Sequence, residues 1–173
     1  NRPAYILYTS RTTGAPKGVM LTFGNHFWSA TASAFRLGLE QNDRWLSCIP
    51  LYHVGGLSVV FRSCLYGTAI DLHPRFDVEA IYRNLKDVPV TMISVVPTML
   101  VRLMERFDSD PHGTEWPVSL RHILLGGAAA TPELLQECQN RSLPVSTTYG
   151  LTEVGSQAVT LTPQDSAIKL AQG

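Results

Sequence analysis

Short runs rich in apolar and β-branched residues alternate along this chain with stretches whose apolar residues recur at helical spacing, and that alternation leaves few folds open. Residues 4–9 (AYILYT), 44–49 (RWLSCI), 69–72 (AIDL), 90–94 (VTMIS), 122–125 (HILL) and 145–148 (VSTT) have the length and composition of strands, and 156–161 (SQAVTL) is strand-like as well. Phe23, Phe27, Ala30, Ala34 and Leu37 predict a helix over 22–39 with Thr22 as its N-cap. Residues 57–66 predict a second helix closed by Gly67, and Asp77 caps a third in which Ile81 and Leu85 share a face. Pro97 opens a fourth, striped by Met99, Leu100, Leu103, Met104 and Phe107, and Thr131, Pro132 and Glu133 open a fifth that runs to Gln139. The polar stretch 108–117 is expected to be a surface loop. The alternation predicts an α/β fold, a mostly parallel sheet flanked by helices, with ligands bound outside the carboxyl ends of the strands.

With 173 residues and 45% hydrophobic content the chain can bury one sizeable core, so a single globular unit is expected. Lys and Arg balance Asp and Glu to a formal charge of zero, which offers no general attraction to nucleic acid or to an acidic membrane surface. Any anion must be held locally. Cys48, Cys64 and Cys138 are odd in number and set in apolar sequence, and read as small buried hydrophobes of a reducing compartment. No apolar run approaches the roughly 20 residues that span a bilayer. No basic-then-apolar leader opens the chain, so a cytoplasmic location without membrane insertion is expected. Strand-like sequence begins almost at residue 1 and 171–173 carry no terminal element, as in a piece of something longer.

The chemistry-bearing residues cluster in a few loops. Residues 8–18 (YTSRTTGAPKG) place the hydroxyls of Ser10, Thr12 and Thr13, the permissive backbones of Gly14 and Gly18, and the mobile charge of Lys17 between a strand and a helix. That inventory suits a polyphosphate, and a polar connecting turn is the competing reading. The spacing of a Walker A loop, GxxxxGK followed by Ser or Thr, is absent. His53 lies between a strand end and a Gly-Gly helix start, where its ring can face the crevice or serve a structural role. Arg62 interrupts an apolar helix one turn from Ser58; it either snorkels to solvent or meets an anion. Gly126, Gly127 and Ala128 would allow a flat ring to lie against backbone. Tyr149, Gly150, Thr152 and Glu153 offer a ring, a hydroxyl and a carboxylate able to stack a base, bind a phosphate and hold a hard cation. His26, His73, His112 and His122 lack metal-ligand spacing and read as structural or exposed. No GxSxG elbow is present, which leaves little ground for a hydrolase.

In this order, these segments resemble the adenylate-forming superfamily of acyl-CoA synthetases, peptide-synthetase adenylation domains and luciferases. YTSRTTGAPKG resembles its phosphate loop YTSGTTGxPKG, and TTYGLTE resembles its nucleotide motif YGxTE, with LLGGAAA between them. TFGNHFWSA, PLYHVGGLS, VTMISVVPTML and LLGGAAATPELLQECQ are similar to the 2-succinylbenzoate-CoA ligases of menaquinone biosynthesis, one family within it, and the likeness spans nearly the whole chain.

The resemblance implies that Ser10, Thr12, Thr13, Gly14 and Lys17 cradle the phosphates of ATP, and that Tyr149 and Gly150 lie at the adenine. It further implies that Thr152 contacts the α-phosphate and Glu153 holds Mg²⁺, while Gly126, Gly127 and Ala128 border adenine and acyl group. His53 would line an aromatic acyl pocket, and Arg62 and Ser156 would bind the substrate's distal carboxylate. A carboxylate oxygen of the aromatic acid would attack the α-phosphate to give an acyl-adenylate and pyrophosphate, and the CoA thiol would then displace AMP. Lys17, His53, Thr152 and Glu153 are the expected catalytic residues. Another aryl- or fatty-acyl-CoA ligase and a non-catalytic nucleotide-binding remnant are the alternative readings, and a homo-oligomer of the full-length enzyme is left open.

The chain departs from the pattern at Arg11, where the family has glycine, and weaker ATP handling is expected from a side chain there. The resemblance also implies that an N-terminal portion and a small C-terminal domain with a catalytic lysine lie outside residues 1–173. This central part of an adenylation domain is therefore expected to be inactive by itself.

Overall fold

The computed structural model describes residues 2–9, 16–111 and 115–165. Its first unit differs from the expected strand, loop and helix. β1 (Pro3–Thr9) pairs antiparallel with β2 (Lys17–Thr22), with Thr9 opposite Lys17 and Tyr8 opposite Gly18. Residues 17–22 were expected to belong to the loop and the helix start, but their alternating Val19 and Leu21 face inward and complete a two-stranded hairpin. The segment carrying Ser10, Arg11, Thr12, Thr13 and Gly14 lies outside the described residues. Thr22 does cap α1 (Phe23–Leu37): its hydroxyl accepts from the Asn25 amide and the Asn25 side chain accepts from the Thr22 amide. The helix ends two residues earlier than its spacing predicts, at Gly38, which takes a positive φ of 74°.

The main sheet has six strands: β3 (Arg44–Ser47), β4 (Ala69–Leu72), β5 (Met92–Val95), β6 (His122–Leu125), β7 (Val145–Leu151) and β8 (Ser156–Leu161). Their spatial order is β4-β3-β5-β6-β7-β8, parallel throughout except for β8, which runs antiparallel beside β7 at the edge. The helices are α2 (Val54–Tyr66), α3 (Val78–Asp87), α4 (Pro97–Asp108) and α5 (Pro132–Asn140).

Successive residues along each strand divide between two cores. Trp45, Met92 and Leu124 face Leu37 of α1 and Val59 of α2. Leu46, Ile93, Ile123 and Leu125 face the other way, onto Ile81, Leu85, Leu100, Leu103 and Phe107 of α3 and α4 and Cys138 of α5. Both faces are covered, as a parallel sheet requires. Within the stretch expected to be a surface loop, Trp116 instead stacks on Phe107 at 4.3 Å between ring centroids and packs against that core. Cys48 and Cys138 are buried as expected, and burial pushes the Cys48 thiol up to about 12. Cys64 is exposed, on the outward side of α2, which corrects the expectation for that residue.

The hairpin shares no ladder with the main sheet among the described residues. Side chains join it to the rest: the Tyr5 hydroxyl bonds His26 Nε2, and the His26 ring stacks on Phe61 of α2 at 4.1 Å and 11°. Burial, and next the positive charge of Arg62, hold His26 below the ordinary imidazole value. Burial also pushes the Tyr5 phenol up to about 12, so Tyr5 donates and the neutral His26 nitrogen accepts.

Candidate functional site

The carboxyl ends of β3, β5, β6 and β7 open into a cavity of about 420 Å³. Its floor comes from the strand ends, through Ile49, Ser94, Val95, Val96, Leu124, Gly126, Gly127 and Thr148. One wall is α2, through His53, Val54, Gly55 and Arg62, and the opposite wall runs from Gly150, Leu151 and Thr152 to Ser156 and Gln157. Two stretches far apart in sequence thus meet at one crevice, where ligands bind in sheets of this kind.

Close backbone approach builds both walls. α2 begins at Val54, a turn before the spacing predicts, with His53 at its N-cap position. It can do so because residue 56 is glycine: a Cβ there would stand 2.4 Å from the Ile49 carbonyl oxygen and 2.6 Å from that of Pro50. Opposite, the pairing of β7 with β8 shifts register between Tyr149 and Gly150, and a Cβ on Gly150 would meet the Ser156 carbonyl oxygen. Ser156 itself adopts φ 109°, a sparsely populated region for a residue with a side chain, of the kind that concentrates at functional sites. The Ser58 hydroxyl lies 3.0 Å from the Gly55 carbonyl oxygen and 3.2 Å from Ser156 Oγ, tying α2 to β8 across the cavity.

Arg62 is the residue whose surroundings demand most explanation. It does not snorkel: only 2% of its surface is exposed, and its Nε and Nη2 have no hydrogen-bond partner among the described residues. Among the described residues no Asp, Glu or Lys lines the cavity. Burial pulls the guanidinium down to about 10, so it remains a cation at neutral pH. Its Cζ lies 5.6 Å from the centroid of the Trp45 ring. A buried cation with unused N–H donors, beside a hydroxyl pair and a flat glycine floor, is fitted to receive a carboxylate attached to an apolar body.

The structure brings His53, Arg62, Gly126, Gly127, Gly150, Thr152 and Ser156 together around this cavity. Lys17, Ala128, Tyr149 and Glu153 do not line it. Lys17 is exposed at the start of β2, Ala128 is exposed beyond β6, and the Tyr149 ring is 66% exposed on β7. Glu153 is exposed in a 3-10 turn, Thr152–Val154, between β7 and β8. His53 is exposed at the cavity mouth, with its ring tilted on Tyr52 at 4.6 Å. Ser10, Thr12, Thr13 and Gly14 lie outside the described residues. Sequence reasoning gave no role to Trp45, Ser94, Thr148 and Gln157, although Ser94 and Thr148 stand within the segments VTMISVVPTML and TTYGLTE. Only the i, i+4 spacing of Ser58 and Arg62 signals a shared helix face.

Comparison with known proteins gives a consistent picture. Residues 1–172 match the family of AMP-binding enzymes. A 2-succinylbenzoate–CoA ligase of Bacillus licheniformis is 52% identical over 167 residues, which are 96% of this chain and 34% of that protein. The o-succinylbenzoate CoA synthetase of Bacillus subtilis in complex with the acyl-adenylate intermediate OSB-AMP superposes with a TM-score of 0.87 at 48% identity, covering 95% of this chain and 33% of that one. The same enzyme with ATP and magnesium ion gives a TM-score of 0.85 at 46% identity, covering 94% and 33%. The chain spans about a third of the length of the relatives it matches.

Proposed function

Because the chain belongs to the AMP-binding enzyme family, we propose that residues 1–173 are the central part of the adenylation domain of an ATP-dependent 2-succinylbenzoate–CoA ligase acting in menaquinone biosynthesis. The N-terminal part and small C-terminal domain of that enzyme lie outside this chain, and the chain by itself is inactive. Its use of ATP and CoA supports a cytoplasmic location. Among the described residues no helix is long and apolar enough to cross a membrane.

The observation that carries the proposal is Arg62. Leaving a cation 2% exposed with unpaired donors costs several kcal/mol, and an entering carboxylate removes that cost. An acid with one carboxylate, committed to the reaction, has none left for it. 2-Succinylbenzoate has two, and its ring and keto chain suit the glycine floor and the apolar residues Ile49, Val95, Val96 and Leu124.

In the first step a carboxylate oxygen of the acid attacks the α-phosphorus of ATP, the bond to pyrophosphate breaks, and the acyl-adenylate forms. In the second, the CoA sulfur attacks the acyl carbon as its proton leaves, and AMP departs. Ser10, Thr12, Thr13 and Gly14 donate to the phosphate oxygens, and Lys17 at the base of the hairpin loop offsets their charge as the anionic acid approaches. The Thr152 hydroxyl, in the cavity wall, donates to the α-phosphate. The exposed face of Tyr149 stacks on adenine beside the Cβ-free edge of Gly150. Gly126, Gly127 and Ala128 border adenine and acyl group, His53 closes the mouth of the acyl pocket, and Ser156 joins Arg62 at the second carboxylate. Glu153 holds Mg²⁺. When bound, that ion neutralises phosphate charge.

The test is ATP–pyrophosphate exchange in the full-length enzyme, with 2-succinylbenzoate and with the monocarboxylates benzoate and benzoylpropionate. Arg62→Ala is expected to lower kcat/KM for succinylbenzoate about 100-fold and to abolish its advantage over the monocarboxylates. An intact preference in that variant refutes the substrate assignment. No exchange with any acid in the unaltered enzyme leaves only a nucleotide-binding remnant.

A further inference from the structure

The unused donors of Arg62 raise a further question, namely what holds the guanidinium in place. Its Cζ lies over the Trp45 ring, 5.6 Å from the centroid and within the range of a cation–π attraction, with Tyr66 and His26 also close enough to feel its charge. Trp45 is 1% exposed on β3, and Leu37, Val59, Met92 and Leu124 surround it. Its indole N–H donates to Ser94 Oγ at 3.0 Å. Ser94 belongs to the neighbouring strand β5, where Met92 is the register partner of Trp45, and it also lines the cavity. The ring plane is therefore fixed at one end by the β3 backbone and at the other by a hydroxyl of the next strand.

An aromatic face and a carboxylate stabilise a guanidinium differently. A carboxylate from the protein would take up its N–H groups and compete with a ligand. An indole face attracts the charge without supplying a conventional hydrogen-bond acceptor, and Nε and Nη2 have no hydrogen-bond partner among the described residues.

We propose that Trp45, held in plane by Ser94, is a positioning residue for substrate specificity: it seats Arg62 from one face so that the guanidinium edge is presented to the second carboxylate of the acid. This rests on the reading of Arg62 as the carboxylate-binding group. The preference for a dicarboxylate is then set two residues deep, by a side chain that does not line the cavity.

The experiment compares Trp45→Met, Trp45→Phe, Ser94→Ala and Arg62→Ala in the full-length enzyme, reading KM and kcat for 2-succinylbenzoate and for the monocarboxylates benzoate and benzoylpropionate. Trp45→Met removes the aromatic face at similar volume and is expected to raise KM for succinylbenzoate about tenfold more than KM for the monocarboxylates, with kcat moving less. Trp45→Phe restores a ring face and recovers most of the preference. Ser94→Ala frees the indole, folds without a core rearrangement, and shifts the ratio about threefold the same way. A Trp45→Met enzyme whose KM rises equally for all acids shows a packing role only, and overturns the inference. So does a KM ratio within about twofold of the original in both Trp45→Met and Ser94→Ala while Arg62→Ala abolishes it; the functional reading then stands. If Arg62→Ala itself leaves the ratio unchanged, that reading falls and takes this inference with it.

Discussion

The backbone at Gly150 presses on that of Ser156 so closely that a Cβ on Gly150 would lie 1.9 Å from the Ser156 carbonyl oxygen. Neither residue can move without the other, and Ser156 is already strained at φ 109°. Gly150→Ala must therefore displace the start of β8, together with the hydroxyl that meets Ser58. The expected cost is about 1–3 kcal/mol of stability, with a higher KM for the acid. Urea denaturation and steady-state kinetics check it, and a variant as stable as its parent would show that β8 yields freely.

Asp43 and Arg121 form a buried pair at the opposite end of the sheet. Arg121 donates from Nε at 2.8 Å and from Nη2 at 2.5 Å, Thr91 and the Glu40 amide add bonds at 2.9 Å, and the Asp43 side chain is wholly buried. Burial pushes the carboxyl up, but the Arg121, Glu40 and Thr91 bonds outweigh it and leave it below the ordinary aspartate value. The pair's stabilisation is thus complete above about pH 4, the unfolded value, and is lost as pH falls through the lower folded value. Asp43→Ala is expected to cost about 3 kcal/mol at pH 7 and much less at pH 2, measured by denaturant unfolding at both.

His122 sets a second pH dependence. Its Nε2 donates to the Leu37 carbonyl at 3.0 Å and its Nδ1 accepts from the Ser146 hydroxyl at 2.9 Å, which fixes a neutral tautomer. Burial, and then Arg121, hold its pKa below the ordinary histidine value. Below about pH 6.5 the unfolded chain takes up a proton that the folded chain refuses, so stability falls as pH drops from there toward the folded value, where the loss levels off. The urea midpoint should decrease between pH 7.5 and 5.5, and less steeply in His122→Asn. Equal slopes would assign the dependence elsewhere, with His26 the next group to examine because it is shifted the same way.

The segment YTSRTTGAPKG carries Arg11 where the phosphate loop that it resembles has glycine. In the full-length enzyme Arg11→Gly is expected to lower KM for ATP severalfold, because backbone N–H groups then approach the phosphates without a side chain between. Pyrophosphate exchange at varied ATP measures it; an unaltered KM and turnover dispose of the idea.

The parallel sheet and its helices were legible because each strand is short, apolar and bounded by Gly, Pro or a capping residue, and because Thr22, Asp77 and Thr131 signal their helix starts. β2 was not, since residues 17–22 follow a loop motif without a break and alternate over only two inward positions. Among the site residues, His53, Gly126, Gly127, Gly150 and Thr152 stand at strand ends and in turns whose composition announces a role. Arg62 was visible as a charge in an apolar helix, with its direction undecided until burial was known. Trp45 and Ser94 were invisible: each looks like an ordinary strand residue, and only the register of β3 against β5 brings them together.

The separation of the β1–β2 hairpin from the six-stranded sheet has a mechanical consequence. A loop grown from a sheet strand is rigidly mounted by the backbone ladder on either side. The β1–β2 hairpin is mounted instead by the run of β2 straight into α1, by the bond from the Phe23 amide to the Arg2 carbonyl, and by side-chain joints from Tyr5 to His26 and from His26 to Phe61, beside the helix that bears Arg62. A tilt of the hairpin would slide ring on ring and break no hydrogen bond of the six-stranded sheet, so the orientation of β1 and β2 is coupled through His26 and Phe61 to the helix that forms one wall of the pocket.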